Sequence, residues 1–466
     1  MLPDKAPGQG GTQGTARPPA ARRALEVVPW LVFAAWLAVQ LPAALGPGPG
    51  GVYRVDFLTY RRAADALAAG GNPYGTPEAS RAVWRRFHAD ESELLAGAAR
   101  GEGAAVLQEQ QARPASPGPY LYSPTLAALV AQLDLTGPAF SLLSLGAVAG
   151  FAVLWLSLAG LGGWWLLLLA GSWDLLASVV GGNVELLVLC LALVAARLLW
   201  AERARVSIWA APPMALVLLV KPFYALLFLG LGALRLGAAP RGGRGRTLVA
   251  LVAPGAAAAL LVGAEVARWG PGLRAEALGY LGHALEYQWY ALPLDEQTPM
   301  SAWNRTAMQA LVSTGAPPGG AQAAAYGLWV ALTGATVGVV GVTRRRAERP
   351  VGHRPGPGAP PLPFALAFGA SFVLLYWARP VGWTFVYLEI VVAGAAWPWL
   401  RRSERAALLT ALLLLAASHW WALATTIAGQ GMAFLTVQGA GVPWESWLVL
   451  PACWLVLLLA LARSTS

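Results

Sequence analysis

Residues 138–160 read PAFSLLSLGAVAGFAVLWLSLAG, an apolar run close to the ~20 residues an α-helix needs to cross a bilayer. Runs of the same kind recur from about residue 25 to the C-terminus. Composition agrees with this reading. Of 466 residues, 57% are hydrophobic and only 12% charged, too few charges to cover a soluble globule of this size. A soluble enzyme, a disordered chain and a disulfide scaffold are excluded. The sequence predicts an all-α polytopic membrane protein.

The net charge of +10 comes from 33 basic and 23 acidic residues, and Lys5 and Lys221 are the only lysines. This balance does not imply nucleic acid. The placement of the arginines matters more, because membrane proteins keep short cationic loops in the cytoplasm. Residues 1–24 read as a Gly/Pro-rich disordered cytoplasmic tail ending in Arg22-Arg23, and residues 25–462 as a single integral membrane domain. After a first span at 25–45 comes a polar segment, 46–120, with eight Arg and eight Asp or Glu. A loop of that length translocates largely regardless of charge, so it is placed outside. Within it, 56–69 and 78–99 read as helices separated by the turn Gly70-Gly71-Asn72-Pro73-Tyr74-Gly75.

Basic segments at 197–205, 235–246, 344–354 and 401–405 mark cytoplasmic loops, and Arg463 places the C-terminus there too. Spans near 122–136, 138–160, 183–200, 207–221, 222–235, 247–266, 323–342, 362–378, 382–400, 406–427 and 443–462 bring the total to about twelve. A second large extracytoplasmic loop covers 267–306. Residues 164–182 are apolar enough to cross, yet a crossing there would put 197–205 outside. Broken half-helices buried in protein are the expectation for that stretch. Cys190 and Cys453 lie in apolar spans and read as small packing residues.

On this topology the unusual residues collect at the extracytoplasmic face, and no internal repeat is evident. A transporter would place polar groups near the midplane within paired repeats, so the asymmetry favours an enzyme at the outer surface. Asp56, followed by Tyr60 and Arg61 one helical turn on, has the position of a general base at the lipid–water boundary, or of a helix cap. Lys221 interrupts an apolar run, where an ammonium is costly. It reads either as a cation facing a water-filled pocket that takes a phosphate, or as a snorkelling side chain. Arg305 and Arg379, at the outer ends of spans, are further phosphate candidates. Asn183 and Glu185 open the span after the broken stretch as pocket residues, with an ordinary N-cap the alternative for Asn183. His283 and Glu286 resemble half a metal site, and the other histidines are scattered, so no metal or cofactor is expected. Phosphate-binding loops, dinucleotide fingerprints and zinc-protease motifs are absent from the sequence. An enzyme of this kind needs an activated donor outside the cell, and lipid-phosphate-linked sugars supply one.

Val55-Asp56-Phe57-x-x-Tyr60, then Gly71-Asn72-Pro73-Tyr74, then Tyr120-x-Tyr122-Ser123-Pro124 resemble glycosyltransferase family 87. Its members include polyprenyl-phosphate-mannose-dependent α-mannosyltransferases of the GT-C class. Gly182-Asn183-Val184-Glu185 stands where that family usually has Gly-Gln-x-Asn, and Lys221-Pro222 matches its Lys-Pro step. Ser301-x-x-Asn304-Arg305-Thr306 is similar to its Asn-Gln-Ser element, which adds Asn304 to the substrate-binding candidates. The segment Arg379–Tyr387 lacks the histidine often seen there. The similarity runs from about Leu25 to Trp399.

The resemblance implies a GT-C fold and inverting sugar transfer outside the cytoplasmic membrane. The donor would be a polyprenyl-phosphate sugar, with mannose first, and the acceptor a hydroxyl on a lipid or glycan. The family's first-loop aspartate falls on Asp56, the implied base, and Lys221 would stabilise the departing lipid phosphate. A polyprenyl-phosphate or lipid transporter, or a non-catalytic relative acting as a partner subunit, are the competing readings.

Overall fold

The computed structural model describes residues 20–45, 55–74, 122–171, 182–200, 208–238, 244–278, 315–347 and 400–413, with single residues between and beyond them. In chain order the helices include α1 (Ala20–Leu45), α2 (Val55–Ala68), α3 (Pro124–Gln132), α4 (Gly137–Ala159), α5 (Trp165–Ala170), α6 (Glu185–Leu199), α7 (Ala211–Val220), α8 (Ala225–Ala238), α9 (Arg244–Ala267) and α10 (Pro318–Ala347), and 271–278 and 402–413 are helical too. No strand occurs among the described residues, which are mostly helical as the sequence predicts.

Local chemistry sets the boundaries. Helix α2 buries Phe57, Tyr60, Ala63 and Ala64 along one face. Past its end Gly70 adopts φ +74°, and the Asn72 side chain accepts the Tyr74 amide at 3.0 Å, forming the turn expected at 70–75. Helix α4 begins after Thr136, whose hydroxyl accepts the Ala139 amide at 3.3 Å, and it stops at Gly160, φ +65°.

Helices α4 and α6 pack together, and both start at one end of the bundle. Phe140, near the start of α4, lies 6.0 Å from the Tyr60 ring of α2, while the Val184 amide, just before α6, reaches the Tyr60 hydroxyl at 3.4 Å. The two helices approach closely where Gly150 faces Cys190: a Cβ on that glycine would lie 3.6 Å from the sulfur. Cys190 is thus a packing residue, and Cys453 lies outside the described residues.

The opposite end is rich in arginine and tryptophan. Trp165 stands edge-on to Trp155 and Trp397 at 5.7 and 5.2 Å, and the Arg405 guanidinium covers Trp397 at 5.4 Å. Arg235 at the end of α8 covers Trp200 at the end of α6, 5.8 Å from the ring centre. Arg197 lies in the last turn of α6, and α9 leaves from this end with Arg244 and Arg246.

Two expectations are corrected by this arrangement. Residues 122–136 do not form a span. Helix α3 has nine residues, about 13.5 Å at the α-helical rise, under half of a ~30 Å hydrocarbon core. Just past it, Asp134 meets Arg61 of α2 at 2.7 Å, so the chain stays on the side of α2 before α4 begins. Residues 164–182, conversely, join the two ends of the bundle. A Cβ on Gly163 would lie 3.0 Å from Trp30 Nε1 of α1, whereas one on Gly182 would lie 2.9 Å from Phe57 Cβ. The chain between them covers the length of α4, although α5 within it stops after six residues at Gly171. The two corrections cancel in parity. Arg197 therefore still falls at the arginine-rich end.

Among the described residues, α4 and α9 are long and apolar enough to cross a membrane, against the dozen spans expected. Shorter apolar helices cover 26–39, 208–220 and 225–236. Only 17% of the apolar window of α9 is buried, and Leu248, Val249, Val252, Leu260 and Leu261 are exposed along it.

The placement of α3 is open to a direct check. In a chain with Cys190 and Cys453 replaced by Ala, Arg61→Cys with Asp134→Cys should be joined by a short thiol cross-linker. If 122–136 crossed a bilayer, those positions would be held apart by about 30 Å. No cross-link would restore the original span.

Candidate functional site: a buried glutamate, lysine and tyrosine cluster

The centre of the site is Glu185, the first residue of α6 and fully buried. A carboxylate in the first turn of a helix complements the positive end of its dipole. Just before it, Gly182 takes φ +69°, which favours glycine, and Asn183 Oδ1 accepts the Glu185 amide at 2.8 Å. Asn183 thus caps the helix start, from two residues before the amide it satisfies.

Two partners reach Glu185 from the corner between α7 and α8. Lys221 ends α7 with φ −135° and ψ 80°, and Pro222 after it cannot continue the helix hydrogen bonding. The Lys221 Nζ lies 3.1 Å from Glu185 Oε2, with the lysine side chain only 7% exposed. This is an ion-pair contact rather than a well-aligned hydrogen bond. Tyr224, buried three residues on, donates its hydroxyl to Glu185 Oε1 at 2.5 Å.

From Lys221 the cluster continues to α2. The ammonium sits 5.0 Å from the centre of the Tyr122 ring, a cation–π contact. Tyr60, with none of its surface exposed, donates its hydroxyl to that of Tyr122 at 3.1 Å, and the two rings meet edge to face at 5.0 Å. Five elements thereby converge: α2, the segment before α3, the start of α6, the end of α7 and the 3-10 turn 222–224.

Of the residues singled out in the sequence, Tyr60, Asn183, Glu185 and Lys221 come together here. Lys221 is not a lone cation facing a water-filled pocket, since Glu185 neutralises it. Arg61 is not in the cluster. It lies half-exposed against Asp65 and Asp134 at 3.0 and 2.7 Å, and the hydrogen bond to Asp134 raises its already high pKa. Asp56 is the second residue of α2, inside its first turn rather than before it, and its side chain lies outside the described residues. Its neighbour Phe57 rests on Gly182, which fixes the Asp56 backbone beside the cluster. Asn304, Arg305 and Arg379 also lie outside the described residues.

Tyr122 and Tyr224 were not assigned to the site from sequence. Tyr122 belongs to the Tyr120-x-Tyr122-Ser123-Pro124 motif, and Tyr224 lies three residues beyond Lys221, so both carried a positional signal. No group of three or more His, Cys, Asp or Glu able to hold a metal ion occurs among the described residues. No family model, curated protein or solved structure matches this chain.

The ion pair has a measurable signature. Removing one member of a buried pair strands the other, at a cost of about 3–5 kcal/mol. Glu185→Gln and Lys221→Met should each lower the thermal midpoint clearly, while the double variant should lose much less than the sum. Additive losses would mean that the two side chains do not interact in the folded protein.

Proposed function

We propose that this chain is an integral membrane glycosyltransferase of the GT-C class, similar to glycosyltransferase family 87. It transfers a sugar, mannose first, from a polyprenyl-phosphate donor to a lipid or glycan hydroxyl at the extracytoplasmic face, with inversion. The observation that carries this reading is the docking of the first turn of α2, with Asp56, onto Gly182. That turn lies beside the buried Glu–Lys–Tyr cluster, at the end of the bundle opposite the arginines.

Exposed apolar surface supports the membrane setting. Leaving a Leu or Val side chain in water forgoes about 1.5–3 kcal/mol, and α1 and α9 present rows of them, including Leu31, Val39, Leu248, Val249 and Leu260. A hydrocarbon surround removes that cost. Arginine-rich ends belong in the cytoplasm; on that rule we read the opposite end, with α2 and the cluster, as outside, and the N-terminus and, from Arg463, the C-terminus as inside.

In the reaction, Asp56 takes the proton from the acceptor hydroxyl as its oxygen bonds to the anomeric carbon, and the bond to the lipid phosphate breaks on the far side. The anion that leaves needs positive charge. Lys221 with Glu185 is a neutral pair, so Arg305 and Arg379 are assigned the phosphate, and Asn304 the donor beside it. The buried pair fixes the walls of the site.

A transporter of the same class of lipid is the second reading. The helix break at Lys221-Pro222, with a charged pair inside apolar surroundings, favours it. Asp56 separates the two. With labelled polyprenyl-phosphate-mannose and a membrane lipid extract as acceptor, Asp56→Asn should cut transfer at least about a hundredfold with donor binding retained. Asp65→Asn, on the exposed face, should be far milder. Near-normal transfer by Asp56→Asn removes that residue from the chemistry.

Sidedness has its own check. With Cys190 and Cys453 replaced by Ala, Asp90→Cys should react with an impermeant thiol reagent in intact cells. Reaction only after permeabilisation would place the 46–120 loop inside and overturn an extracytoplasmic site.

A further inference from the structure

Asp56 and Tyr60 are four residues apart on α2, a spacing that places them on one face of the helix. Among the described contacts, two bear on how this part of the helix is held. Phe57 lies against Gly182, where even a methyl group would sit 2.9 Å from Phe57 Cβ, and its ring packs on Phe140 at 5.1 Å. One turn later the Tyr60 hydroxyl accepts the Val184 amide at 3.4 Å and donates to Tyr122 at 3.1 Å. Apolar contacts tolerate sliding, because the hydrophobic effect has no preferred direction. A hydroxyl between an amide and a second hydroxyl is more sensitive to direction, and at 3.4 and 3.1 Å its two bonds are long, so a small slip suffices to break them.

The Val184 amide lies just before α6, at its N-cap, where backbone donors lack acceptors within the helix. The Tyr60 hydroxyl supplies one, and in doing so it pins the register of α2 against α6. Any slip of α2 along its axis passes undiminished to residue 56, because four residues of helix move as one rod. Misplacing a reacting group by 1 Å costs about a hundredfold in rate.

We propose that Tyr60 is a positioning residue: its hydroxyl, between the Val184 amide and Tyr122, sets where Asp56 meets the acceptor. This rests on the reading of Asp56 as the base. On this reading Tyr60 acts through Asp56.

The test uses the purified full-length protein, labelled polyprenyl-phosphate-mannose and a membrane lipid extract. Tyr60→Phe keeps the ring and deletes the hydroxyl. It should lower kcat about ten- to a hundredfold, with donor KM within about twofold and a modest fall in the thermal midpoint, because the buried Val184 amide loses its acceptor. The double variant Asp56→Asn with Tyr60→Phe should be no slower than Asp56→Asn alone, because the base that Tyr60 positions is already gone. Wild-type kcat in Tyr60→Phe, or losses that multiply in the double variant, would overturn the inference. If Tyr60→Phe does not fold, Tyr122→Phe gives the same reading: a milder fall in kcat at constant KM supports the proposal, and no fall overturns it. The two levels separate cleanly. Normal turnover in Asp56→Asn sinks the base reading and this inference with it, whereas a hundredfold loss there beside an unaffected Tyr60→Phe sinks the inference alone.

Discussion

The contact between Glu185 and Lys221 is the constraint on which the rest depends. Two opposite charges, one fully buried and the other nearly so, are tolerable only together. Glu185 opens α6 and Lys221 closes α7, so their pairing dictates that the start of one helix meets the end of the other. That requirement brings the Pro222 corner inward, seats Tyr224 on the second carboxylate oxygen, and sets the face of Tyr122 against the ammonium. Tyr122 in turn holds Tyr60, and through it α2. Hydrophobic packing makes these helices compact. The charges decide how they are aligned.

Alignment also settles how the chain is threaded. Helices α4 and α6 run parallel, so a return path must lie between them, and 164–182 provides it. The short α3 stays beside α2, held by the Arg61–Asp134 contact, and Asp134 turns the chain at φ 41° into α4. Clusters of arginine with tryptophan at one end and the acid–lysine–tyrosine cluster at the other give the bundle a strong polarity along its axis.

Much of this was legible in the residues, and the remainder illustrates where such legibility stops. The extent of α2, expected over 56–69 and found at Val55–Ala68, follows from local patterning, as does the turn at Asn72. Asn183, Glu185 and Lys221 drew notice because polar groups in apolar runs are costly wherever they lie. That Glu185 and Lys221 belong to each other was not legible, because periodicity describes one helix and contains no term for a partner in another. Residues 122–136 passed for a span because apolar content measures solubility in lipid, not the path length of the chain. Pro124 at the start and Asp134 at the end were the counter-signals. The twelve-span count went further than the described residues do, in which two helices meet the length and hydropathy of a crossing.

The division of the charged pair between two helices has a consequence for how the protein is made. In the bilayer that the proposed function requires, α6 and α7 emerge from the ribosome one after the other, α6 opening on Glu185 and α7 closing on Lys221. A lone charge costs about 2.5–3.5 kcal/mol at the centre of an inserting helix and less toward its ends, where Glu185 and Lys221 lie, and a neutralised pair escapes most of that penalty. Neither helix is long, and Lys221 lies where α7 ends. The two are therefore best inserted as a hairpin, with α6 retained at the edge of the insertion machinery until α7 arrives to cancel its charge. On the proposed reading, the walls set by this pair form during synthesis, before Asn304, Arg305 and Arg379 are made.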